Sequence, residues 1–363
     1  MPETRALQYK PDWPEARERM EAFWRGEVRD RPPIWITAPR RNPLPGPPRP
    51  PLPEDLPSRY LDQDYLLAEA DYRFRHTIFL GESVPCFLPY QGANELALYL
   101  GSQAVFAPDT VWFEPALSGL EGGPDLTPAE DNRHWRWAQQ AIRRAKAEGE
   151  GKFIVSFPDL IENLDTLAAL RGTQPLLYDL VDHPAAVHRY QEQILAHYFR
   201  YYDRLAALLG VQEQGSMLGG FPMWMPGRGA KVQCDFSAMI SPAAYAEFVL
   251  PYLQRQLRRL EYSIYHLDGP CALQHLDALL GIPELQCIQW TPGDGHEPCA
   301  SEHWLPIFRR IQAAGKIVFA NGNAADARRL LRQLDRRLLF FSASCEDEDE
   351  AYALLRDVER LGP

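Results

Sequence analysis

No apolar run in the 363 residues approaches the length needed to span a bilayer. The first stretch, MPETRALQYKPDWPEARERMEAFW, is charged where a secretion signal needs an apolar core. A soluble, cytoplasmic chain is expected. Positive charge is in deficit: 38 Lys and Arg stand against 49 Asp and Glu, a formal net charge of -11. That field repels phosphate backbones and anionic lipid, so neither nucleic acid nor a membrane is an expected partner. Cysteine is sparse. Cys86, Cys234, Cys271, Cys287, Cys299 and Cys345 have no framework spacing, which points to reduced thiols in a cytosolic compartment. The glycine-rich signatures of dinucleotide and P-loop sites are missing too, which argues against a nucleotide-binding protein.

What is present suffices for a large core: 45% of the residues are hydrophobic and 11% aromatic. PEARERMEAFWRGE places Met20, Phe23 and Trp24 on one helical face and leads into the apolar run RPPIWITAP. Residues 42–57, NPLPGPPRPPLPEDLP, hold too many prolines for helix or sheet and predict a stiff excursion, either a lid over a site or a connecting loop. The runs VPCFLPY, DTVWFEPAL and KFIVSFPDL follow, interleaved with helical patterns such as HWRWAQQAIRRAKAEG. A long helix is predicted from a cap at Asp182 to Gly210, and a second from Ser241 that Pro251 kinks. The last third contains four apolar runs that each end in polar or glycine residues: YSIYHLDG, QCIQWTPGDG, KIVFANGN and LLFFSASCED. About eight or nine strands alternating with helices predict a parallel (β/α)8 TIM barrel, taken as one domain over residues 1–363.

Catalytic groups of such barrels come from the C-terminal ends of several strands, which nominates His266, Asp268, Trp290, Asp294, Asn321, Asn323 and Cys345. His266 and Asp268, two apart, can point the same way as metal ligands or an acid/base pair; the alternative is a core histidine beside an aspartate that serves its turn. Cys345 precedes the acidic run EDEDE, which disfavours a free thiolate but not a metal-bound one; it can equally be an inert loop thiol. Glu213, in a glycine-flanked segment, is either a fourth ligand or general base, or a solvated side chain. Arg40 and Arg41 after the first strand, and Arg228 in the loop-like PGRGAK, are candidate clamps for a carboxylate or phosphate.

DFSAMISPAAYAEFVLPYLQRQ, YHLDG and GIPELQCIQW, with LRGTQPLLYDLVDHPAAVHRY upstream, together resemble the uroporphyrinogen decarboxylase superfamily over most of the chain after Gly151. The resemblance implies a (β/α)8 barrel and one of two chemistries: cofactor-free decarboxylation, or methyl transfer between a corrinoid protein and a thiol at zinc. The decarboxylases carry an arginine-rich loop after the first strand and an F-S-D-I segment. PPIWITAPRRN keeps part of the first, and FLPYQGANELALYLG replaces the second. Of the H-x-C pair and distant cysteine of the zinc methyltransferases, His266 and Cys345 are present and Asp268 replaces the middle cysteine. The expectation is therefore a zinc-dependent, methyltransferase-like enzyme with His266, Asp268 and Cys345 as ligands, and any corrinoid arriving on a partner protein. The competing expectation is a metal-free decarboxylase or lyase on a small carboxylated or sugar-like substrate. It would use Asp268 or Asp294 as acid/base beside His266, with Trp290 stacking on the ring.

Overall fold

The computed structural model describes residues 5–362. Thirteen strands appear: β1 (Ile34–Pro39), β2 (Thr77–Gly81), β3 (Cys86–Phe87), β4 (Gln103–Phe106), β5 (Val111–Glu114), β6 (Ile154–Val155), β7 (Ser216–Leu218), β8 (Met223–Met225), β9 (Gly229–Gln233), β10 (Tyr262–Asp268), β11 (Cys287–Thr291), β12 (Ile317–Gly322) and β13 (Leu339–Ser344). Seven of them form the main sheet in the order β2-β1-β13-β12-β11-β10-β9. Every pairing in it is parallel except that of β2 with β1.

The four late apolar runs are thus four adjacent strands, and their period-two alternation sorts the core. Tyr265, Leu267, Ile288, Trp290, Val318, Ala320, Phe341 and Ala343 face the helices. Ile264, Cys287, Ile317, Phe319 and Phe340 face the other way, into a second apolar cluster shared with the helix Trp13–Trp24. That helix closes the end where the strands begin: Phe23 lies 6.2 Å from Phe340 and Trp24 5.2 Å from Tyr262. The C-terminal strand ends are left for chemistry.

The ring of pairings does not close among the described residues. β3 pairs only with β6, and a single parallel bridge, Phe157 to Leu218, carries the run on towards β7. Pro85, Pro89 and Pro158 bracket these short strands and remove backbone donors, which limits their ladders. Gly219 lets the segments approach: a Cβ there would lie 2.8 Å from Leu88 Cβ and from Ser156 Oγ.

Several sequence readings need correction. DTVWFEPAL supplies β5, but in an antiparallel hairpin with β4 rather than in the main sheet. Asp182 ends the helix Thr173–Asp182, and the long helix runs Pro184–Leu209 with His183 at its cap position. It stops at Gly210 in the left-handed region (φ 80°, ψ 41°), where glycine carries no Cβ penalty. The helix after Ser241 breaks at Val249 into Pro242–Phe248 and Leu250–Leu257, because Pro251 has no N–H to continue the ladder. The proline-rich segment is a strap tied to the helix Gln63–His76: Arg75 donates to the carbonyls of Leu44 (3.3 Å) and Pro47 (2.6 Å), and Arg49 pairs with Glu69.

Candidate functional site

β9, β10 and β11 end side by side, and their inward-facing positions are polar: Lys231 and Gln233, then His266 and Asp268, then Gln289 and Thr291. Just past β9, Asp235 opens a 3-10 turn, Asp235–Met239. One ligand atom from each of Asp235, His266 and Asp268 lies within 4.8 Å of the others. Among the described residues this is the only group of three or more His, Cys, Asp or Glu with that spacing.

A hydrogen-bond network fixes the trio. His266 Nδ1 is 2.5 Å from Gln289 Oε1, while Gln289 Nε2 donates to the Trp290 carbonyl (3.0 Å) and to Thr291 Oγ1 (2.9 Å). Those two acceptors orient the amide so that its oxygen faces the imidazole. His266 therefore donates from Nδ1 and presents Nε2 as a bare lone pair. Gln233 Nε2 donates to Asp235 Oδ2 (2.8 Å) and Asp165 Oδ2 (3.0 Å), and the Asp165 carboxylate accepts the backbone N–H groups of Asp235 and Phe236 at 2.8 Å. Glu162 accepts the Gln233 N–H at 2.9 Å. Asn163, next to it, is the only non-glycine residue with positive φ (56°) among those described, a strained turn that sets Glu162 and Asp165 against the end of β9.

Electrostatics divide these groups. Desolvation by the surrounding chain, then repulsion from Asp165 and Asp268, raises the Asp235 carboxyl, opposed by Lys231; the side chain is itself exposed, so the crowding by like charge is the firmer of the two causes. Burial lowers His266, favouring the neutral imidazole that a metal or a proton would meet, and the Gln289 hydrogen bond opposes that shift. Burial also drives Glu162 up to about 8.

A chamber of about 500 Å³ lies between β9 and the segments around β3, β6 and β7; none of the trio lines it, and Phe221 and Lys231 stand between the two. Phe87, Tyr90, Phe157, Tyr202 and Phe221 give it aromatic walls, and Lys231 and Asp159 enter it as an ion pair at 2.8 Å. Phe221 is the partition, its ring 4.8 Å from that of His266 and 5.4 Å from Lys231 Nζ.

Comparison with known proteins adds the fold. No protein-family profile matches the sequence, and no curated protein matches it at a significant level. One solved structure that the chain resembles is a methyltransferase from Methanosarcina mazei, with TM-score 0.61 over 95% of this chain and 98% of that one, at 10% sequence identity. The likeness is one of fold. It relates the parallel core and its surrounding helices to that protein, while the residues at the strand ends are read from this chain alone.

The other residues nominated from the sequence fall elsewhere. Cys345 continues the outward alternation of β13, buried at 6% exposure in the core shared with the helices, and is not in the trio. Burial, reinforced by Glu350, holds its thiol up to about 11. Trp290 is fully buried on the outward face, its ring 4.9 Å from that of Trp304, so it cannot stack on a ligand in the chamber. Asp294 is exposed in the loop after β11. Asn321, next to last in β12, is on the inward alternation and exposed, and Asn323 is spent in a capping box for the helix Ala324–Gln333. Glu213 sits in the short helix Val211–Gln214 ahead of β7, on the side away from the strand ends. Arg228 is not in a free loop: it leads into β9, bonded to Asp203 at 2.6 Å. Arg41 is engaged by Asp349 and Glu348, and Arg40 by the Thr77 carbonyl at 3.3 Å. Sequence reasoning missed Asp235, Lys231, Gln233, Gln289, Asp159 and Phe221; the signal for Asp235 was a short run, AKVQCD, that ends in aspartate as YHLD does.

Proposed function

We propose that this chain is a metal-dependent, methyltransferase-type enzyme on a (β/α)8-like barrel, with Asp235, His266 and Asp268 holding one divalent ion. The observation that carries the reading is the spacing of the three ligand atoms, within 4.8 Å at the ends of adjacent strands. The donor set fits: one neutral imidazole with its lone pair presented and two carboxylates make a three-ligand site that leaves coordination positions open, as catalytic zinc sites do. When bound, the ion would act as a Lewis acid that polarises or acidifies the group accepting or releasing the methyl.

The chain's own residues do the rest. Gln289 holds His266 in the tautomer that keeps Nε2 free. Gln233 and Asp165 fix the turn that carries Asp235. The aromatic chamber binds the organic body and excludes water. Two carboxylates and an imidazole form a harder set than one containing thiolates, so an oxygen-centred reacting group suits this site better than a thiol. A corrinoid, if it is the methyl donor, would arrive on a partner protein.

A second reading has a specific observation behind it. The carboxyls of Asp235 and Asp268 and the His266 imidazole stand within 4.8 Å of one another, and crowding by Asp165 and Asp268 adds to desolvation in raising the Asp235 carboxyl, a grouping a metal-free lyase or decarboxylase could use for acid/base work. The test is methyl transfer from methylcobalamin to hydroxyl and thiol acceptors, before and after removal of metal by a chelator. The leading reading expects turnover that chelation abolishes, zinc or another divalent ion restores, and Asp268→Asn lowers at least 100-fold. Methyl transfer that survives complete metal removal would refute the metal dependence, and no methyl transfer but metal-independent release of carbon dioxide from an aromatic carboxylate would favour the second reading.

A further inference from the structure

The geometry points to the substrate class: an aromatic molecule of one or two rings with at most one negative charge, seated in the chamber with an oxygen function between Lys231 and Asp159. This rests on the reading of the strand ends as the reaction centre. At about 500 Å³ the chamber lies within the usual range for small organic ligands, and its walls are mainly apolar and aromatic. Its polar features are few. The Lys231 ammonium has three donors; Asp159 Oδ1 lies 2.8 Å away and Gln233 Oε1 2.5 Å, which leaves one N–H without a protein acceptor among the described residues. Asp159 Oδ2 likewise accepts no protein hydrogen bond among them. A donor and an acceptor side by side, both lining the cavity, complement one hydroxyl, phenolate or carboxylate oxygen.

Two other classes fit poorly. A polycarboxylate would leave anions unpaired against aromatic walls, since the cation inside is already shared with Asp159 and Arg73 stands exposed at the edge. A quaternary ammonium would enter beside the like charge of Lys231, which lies over the Phe221 ring.

The experiment is calorimetric titration of the full chain, metal-loaded and metal-free, with 2-naphthol, naphthalene, benzyltrimethylammonium and a tetracarboxylated porphyrin. The expected result is saturable one-to-one binding of 2-naphthol in both forms. Lys231→Met should weaken it at least tenfold without changing the weaker binding of naphthalene. Because Lys231 is buried, a second variant guards against misfolding: Gly220 lines the chamber and a Cβ there meets no atom within 4 Å, so Gly220→Leu adds bulk at the chamber wall without a backbone clash. It should abolish 2-naphthol binding while the melting temperature stays that of the wild type. Failure of 2-naphthol to bind, binding indifferent to Gly220→Leu, or preferential binding of the ammonium or the porphyrin would overturn the assignment. Binding of 2-naphthol to a protein that takes up no metal would leave this inference standing and remove the metal-dependent reading instead.

Discussion

Glu162 gives a prediction that isolates one buried charge. Its carboxyl is fully enclosed; Oε1 accepts the Gln233 N–H, and Oε2 has no partner. Burial, only partly offset by that hydrogen bond and by Lys231, moves it from an ordinary 4.5 to about 8. The folded chain therefore holds a proton there between pH 4.5 and 8 that the unfolded chain has released, so the contribution of Glu162 to stability falls as pH rises through that window. The span between the two values, at 1.36 kcal/mol per pH unit, is about 5 kcal/mol, an upper limit because the site can relax. Glu162→Gln keeps the shape and the acceptor but cannot ionise. Urea denaturation from pH 4.5 to 8.5 should show the variant gaining on the wild type by about 1 kcal/mol per pH unit and levelling off above pH 8. Other titrating groups cancel in the difference, so parallel profiles for the two proteins would refute the argument.

Gln289→Leu removes the acceptor that holds His266 Nδ1 and should weaken divalent-ion binding roughly 10- to 100-fold, measured by competition with a chromophoric chelator, while secondary structure is unchanged. Trp290→Ala should do the reverse. The side chain is fully buried against Trp304, so its loss should cost about 3–5 kcal/mol in denaturant unfolding, yet metal affinity at fixed folded fraction should not move.

The last four strands were legible because each is an apolar run that ends abruptly in polar residues, and His266 and Asp268 share a face because they sit two apart on one of them. β9 was hidden because its inward positions are Gly229, Lys231 and Gln233: a strand that lines a polar site forfeits the hydrophobic alternation by which strands are recognised. Asp235 went unseen with it. Trp290 and Cys345 were selected by residue type at a strand end, where direction is decided by alternation; Trp290 is one position from Gln289, which does face the site, and Cys345 keeps step with Ala343 on the helix side. The chamber had no local signal at all. Its walls come from segments as distant as Phe87 and Phe221, brought together where prolines cut the strand ladders short.

Elemental analysis of the purified chain after loading with zinc and extensive dialysis tests the central claim most directly. The account predicts one ion per chain in the wild type and in Cys345→Ser, and loss of the ion in His266→Ala and in Asp235→Asn combined with Asp268→Asn, with every variant folded by circular dichroism. A wild type that retains no ion, or a site emptied by Cys345→Ser yet filled in the double aspartate variant, would contradict it.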